Sequence, residues 1–223
     1  MPEVSELIPG FTPENDLERA ITAELELLAG LAWGKPRKGH PEGTVGAHVA
    51  DLLATIDGQG AAPHERREGA APHQWHEGPE LGASGTSGEG RAGELGQGGA
   101  ADQRAQLRLI TLIHDSFKYR VLEWLPKAGW NHHAGRARRF AERFTDDERI
   151  LATIELHDRP YSLWRKMRRR GKLDEAAFED MLSRIPDREL FLRFIELDGS
   201  SEGKRPEPIE WFRDELRKRD ELD

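Results

Sequence analysis

Apolar residues in this chain recur at intervals of three and four, and no stretch alternates at every second position as a half-buried strand would. That spacing restricts the fold to packed helices. Asn15 followed by Glu18 has the form of a capping box, and Leu17, Ile21, Leu25 and Leu28 then share a helix face. A second stripe, Val45, Val49, Leu52, Leu53 and Ile56, starts behind Thr44. A third runs from about Gln103 toward Lys118 with Leu107, Ile110 and Ile113 inward. Asn131, and Thr145 with Glu148, mark two further helix starts, and Gly171 and Gly199 supply stops. Later helices are expected over 174–185, 187–198 and 209–219. The predicted fold class is all-α.

Between Gly58 and Gly99 the pattern disappears. This segment is dense in glycine, poor in large apolar residues, and repeats GAAPH at 60–64 and 69–73. It buries too little to offset its backbone entropy, so a flexible insertion over about 58–102 is expected. Its histidines His64, His73 and His76 then belong to a solvated loop. The whole chain, 1–223, is expected to form one domain around a core of about 30–200, with a C-terminal helix over about 207–220.

With 36% hydrophobic and 33% charged residues and a formal charge of −8, the chain has the composition of a polar, soluble protein and a poor general nucleic-acid binder. No apolar run is long enough to span a bilayer, and MPEVSELIPG lacks the features of a secretory signal, so a cytoplasmic location away from membranes is expected. There is no cysteine, which excludes disulfides and thiolate chemistry. Any metal must be held by imidazole and carboxylate.

Several ionisable residues share the phase of the apolar stripes. His48 lies three after Val45 and four before Leu52, and His114 lies four after Ile110. In the run ITLIHDSFK, Asp115 and Lys118 follow His114 toward the same cavity. His133 is in phase with Ala137, Phe140 and Phe144, whereas His132 is in phase with Arg136, Arg139 and Arg143, so His133 is taken as the inward one. His157 follows Ile150 and Ile154, and Asp198 follows Phe191 and Phe194. Unpaired, each buried charge would cost several kcal/mol. Shared coordination of divalent metal satisfies all of them at once.

The order His48, His114-Asp115, His133, His157, Asp198 resembles the binuclear form of the HD superfamily of metal-dependent phosphohydrolases, an all-helical family. HDSFK is similar to its HDxxK variant, with Phe117 standing where HDIGK-type signatures have glycine. HPEGTVGAH, residues 40–48, looks like the HPEGxVxxH segment before the first ligand in HD domains of bacterial CCA-adding enzymes. The resemblance covers about residues 30–200 with the insertion set aside. It implies an HD-domain helical bundle holding two divalent ions, with Asp115 between them. His48, His114 and Asp198 complete one ion, and His133 and His157 the other. Imidazole-rich ligation favours iron, manganese, nickel, cobalt or zinc over magnesium alone. Lys118 is implied to touch a substrate anion, and with Asp115 it forms the catalytic pair.

The basic run RPYSLWRKMRRRGK, 159–172, follows His157 directly. Arg159 is the leading candidate for substrate binding, with Tyr161 or Trp164 stacking on a base. A small nucleotide-like phosphoester, rather than long nucleic acid, is therefore the expected partner. The bland alternative is a solvated helix face with Leu163 and Met167 packed beneath. The resemblance also leaves open a mixed-valent di-iron oxygenase and a non-catalytic nucleotide sensor.

Overall fold

The computed structural model describes residues 2–36, 41–58, 100–201 and 203–219. The short helices α1 (Val4–Leu7), α2 (Asp16–Thr22) and α3 (Leu25–Leu31) precede the longer α4 (Val45–Ile56) and α5 (Ala100–Ile113). Two 3₁₀ turns, Lys118–Arg120 and Gly129–Asn131, lead into α6 (His133–Ala141), α7 (Glu148–Leu156) and α8 (Arg159–Arg170). The chain continues through α9 (Glu175–Ser183), α10 (Arg188–Gly199) and α11 (Glu207–Lys218). Among the described residues there is no strand, only an isolated bridge between Gly34 and Thr44. The fold is an all-α helical bundle.

Helix α5 lies at the centre, packed on α4, α7 and α10, while α6 covers α7 and α11 lies against α8 and α10. Ile110, Leu112 and Ile113 of α5 are fully buried. The apolar core reaches past the expected 30–200 at both ends, from Ile8 and Phe11 to Phe212 and Leu216.

Several starts follow the sequence signals. Asn15 caps α2 by accepting from the Glu18 amide at 2.8 Å, Thr44 caps α4 through the Ala47 amide, and Gly171 ends α8 with φ of 75°. The differences have physical causes. The first expected helix is two, broken at Ala23 and Glu24, and Leu25 at the restart is 65% exposed rather than inward. Glu18 does not reciprocate the cap of Asn15: its carboxylate accepts instead from the Glu14 amide at 2.8 Å and from the buried Arg108 guanidinium. The third helix stops at Ile113, and the next residues turn rather than continuing to Lys118. Asn131 is not a cap: it sits buried in a 3₁₀ turn, where its amide ties the backbone of Leu122. His132 caps α6 instead, and Asp147 rather than Thr145 caps α7.

The insertion expected over 58–102 and its histidines fall largely outside the described residues, and α5 already begins at Ala100. Two close approaches shape the end of α5 and the α10–α11 corner. A Cβ on Gly30 would stand 1.6 Å from the Ser116 carbonyl oxygen, so only glycine lets α3 press on the turn carrying His114 and Asp115. At Gly199 the missing Cβ leaves room for the Cδ1 end of Ile209, which packs α11 against the end of α10.

Candidate metal centre

The turn after α5 delivers His114 and Asp115 into the interior, where they are 0% and 4% exposed. Phe117 makes this geometry tolerable without a glycine. Its φ is −109°, and its ring is buried against Phe140 at 5.0 Å between centroids. His48 comes from the first turn of α4, His133 from the start of α6, His157 from the end of α7 and Asp198 from the end of α10. The structure brings all six to one place. His48 Nε2 lies 2.9 Å from Asp198 Oδ1, and His114 Nε2 lies 3.7 Å from the same oxygen.

Asp115 divides its two oxygens between two groups. Oδ2 faces His114 Nε2 at 3.6 Å, and Oδ1 faces His133 Nε2 at 3.4 Å and His157 Nε2 at 3.5 Å. His48, His114 and Asp115 form one set of converging donors, and Asp115, His133 and His157 a second. Metal–ligand bonds of about 2.0–2.2 Å at tetrahedral or octahedral angles put neighbouring donors about 2.8–3.6 Å apart. The observed separations fall at or near that range. His114 Nε2, Asp115 Oδ1 and His133 Nε2 are buried without a hydrogen-bond partner among the described residues. In a satisfied interior such atoms are rare, and here all three point into the same space. The residues fit a pair of divalent cations.

The supporting bonds set the tautomers. His114 Nδ1 donates to the Thr111 carbonyl at 3.0 Å and His157 Nδ1 to the Ile154 carbonyl at 2.8 Å, each one turn back on its own helix. That leaves Nε2 toward the centre in both. His48 Nδ1 faces Glu42 at 3.5 Å and the Ser201 hydroxyl at 3.3 Å.

Burial would raise the pKa of Asp115, but Lys118 and then His114 outweigh it and hold the carboxyl well below the usual range. Asp198 is held low in the same way, against burial, chiefly by Lys204. Burial pushes His114 down toward its neutral form. At His133 burial is the largest influence, yet Asp115 and Asp158 together overcome it and raise the imidazole to about 9. A cation held by these groups would have to displace a proton from His133, not from the carboxylates.

Lys118 pairs with Asp115 Oδ2, and Lys204 pairs with Asp198 Oδ1 at 2.6 Å. Both ammonium groups border a cavity of about 630 Å³ that opens from Asp115 and Asp198. Its outer wall carries Tyr161, Trp164, Arg165 and Arg205, with Tyr161 and Trp164 stacked at 6.1 Å. Arg159, at the first turn of α8, is not among the residues of this wall. Its Nε is buried without a hydrogen-bond partner among the described residues. The basic face of α8 is exposed at Arg165, Lys166 and Arg168–Arg170, and Leu163 is buried beneath it.

Three residues of the site escaped the sequence reading. Lys204 and Ser201 sit in the α10–α11 connection, where no periodicity points inward. Asp158 directly follows His157, in a connection between helices; its carboxylate lies 3.1 Å from His133 Nε2 and 3.6 Å from His157 Nε2. Compared with protein-family models, with curated proteins and with solved structures, the chain matches none.

Proposed function

We propose that this chain is a metal-dependent phosphohydrolase of the HD superfamily acting on a small, nucleotide-like phosphoester. The observation that carries the reading is the division of Asp115 between two imidazole sets beside a cavity lined with cations and aromatic rings. His48, His114, Asp115 and Asp198 would hold one divalent ion, and Asp115, His133 and His157 the other. Such ions supply Lewis acidity for phosphoryl oxygens and a bound water of lowered pKa.

The chain's own groups do the rest. Lys118 and Lys204 are the cations nearest the carboxylates, and a phosphoryl group entering the cavity offers them oxygens in exchange. Tyr161 and Trp164 provide a face for a flat leaving group, and Arg165 and Arg205 attract a further negative charge. The carbonyls of Thr111 and Ile154 keep two imidazoles oriented throughout.

The test is a panel of phosphomonoesters and phosphodiesters assayed with manganese, nickel, cobalt and magnesium. Turnover that requires metal and vanishes in Asp115→Ala supports the reading. Ligand-induced stabilisation without turnover would make the chain a sensor. Two bound irons with oxygen consumption, and no phosphatase activity with any metal, would make it an oxygenase.

A further inference from the structure

Asp158 occupies the residue before α8, where an aspartate ordinarily accepts hydrogen bonds from the first free amides of the helix. It does not do so here: its side chain makes no capping bond. The carboxylate turns inward instead. Oδ2 stands 3.1 Å from His133 Nε2 and Oδ1 stands 3.6 Å from His157 Nε2, the two imidazoles that also face Asp115 Oδ1. No cationic side chain other than these imidazoles lies within ion-pair distance of it among the described residues. Despite the short separation, His133 Nε2 has no hydrogen-bond alignment to it and stays unpartnered, in a residue only 8% exposed. Asp158 thus stands against the second set of donors at His133, and it also converges with His133 and His132.

We propose that Asp158 is the fourth protein ligand of the second ion, beside Asp115, His133 and His157. The assignment rests on the binuclear reading above and adds a ligand to it. Each ion then has two imidazoles and two carboxylates, with Asp115 shared. The three carboxylates leave two dications with one net positive charge, and Lys118 and Lys204 add two more at the cavity. That balance suits an anionic substrate.

Metal-stripped wild type, Asp158→Asn and Asp158→Ser are titrated with Mn²⁺ by calorimetry and with Co²⁺ by visible absorption. Asp158 is 40% exposed and makes no capping bond, and serine is favoured before a helix, so both variants should keep the wild-type circular dichroism. Wild type should bind two ions. Both variants should keep one at unchanged affinity, weaken the other by about 100-fold or more, and lose the second set of cobalt bands. Two ions bound at wild-type affinity with wild-type spectra in the variants would overturn the assignment of Asp158 alone. Fewer than two ions in wild type would overturn the binuclear reading and this ligand with it.

Discussion

Two clusters of buried charge lie less than two turns apart, in the second half of α5 and just past its end, and they are built to opposite rules. Six residues before His114, Arg108, 2% exposed, is surrounded by oxygens. Nε and Nη2 bind both oxygens of Glu18 at 2.8 and 3.0 Å, Nη1 binds Asp57 at 2.8 Å, and Nη2 also reaches the Thr12 carbonyl. Past its end His114 and Asp115 are equally deep, yet His114 Nε2 and Asp115 Oδ1 have no hydrogen-bond partner among the described residues. The first cluster is complete in itself and reaches the surface through Glu14 and Arg104. The second is incomplete, and it opens on a cavity. Satisfied buried charge ties α2 and the end of α4 to α5; the second cluster instead directs unpartnered buried donors into a shared space.

Substitutions should separate the two clusters cleanly. Asp115→Ala removes the group facing both imidazole sets and should lower metal-dependent phosphoester turnover by about 10³-fold or more, read in a steady-state assay. Arg108→Met should leave turnover at low temperature within about twofold but destabilise the fold by about 3–5 kcal/mol, because Glu18 is left buried without its partner. Thermal denaturation should show this as a fall of roughly 10 °C. Adding Glu18→Leu to Arg108→Met should recover much of the loss, and failure to do so would mean the pair does more than satisfy itself.

Adding divalent metal at about 100 times its dissociation constant should stabilise wild type by about 2.7 kcal/mol for each ion bound, in denaturant melts. Arg108→Met should gain the same amount, whereas Asp115→Ala should gain almost nothing. A metal response lost in the Arg108 variant would mean that the clusters are coupled along α5. Last, Trp164→Ala should raise KM for an aromatic phosphoester by the equivalent of about 1–3 kcal/mol with kcat nearly unchanged. Equal KM for aromatic and aliphatic esters in wild type would remove the stacking role.

What the sequence disclosed follows the same division. Helical stripes and the caps at Asn15 and Thr44 were readable because they depend on neighbours three or four residues away. The inward phase of His48, His114 and His133 was readable for the same reason. Leu25 misled because a break at Ala23 and Glu24 resets the phase, and no glycine or proline marks it. Arg108 was overlooked between Leu107 and Leu109, since its burial depends on Glu18 and Asp57, which are remote in sequence. Lys204 and Asp158 lie in connections between helices, where position is set by packing rather than by period. Arg159 was favoured for its nearness to His157; in this stretch the cavity is lined by His157, Asp158, Pro160, Tyr161, Trp164 and Arg165.

The most direct measurement of the central claim is anomalous diffraction from crystals grown with Mn²⁺ or Co²⁺, collected at the metal's absorption edge. Two peaks should appear, one beside each oxygen of Asp115, the first among His48, His114 and Asp198 and the second between His133 and His157. A map without a peak at Asp115, from protein saturated with metal, would contradict it.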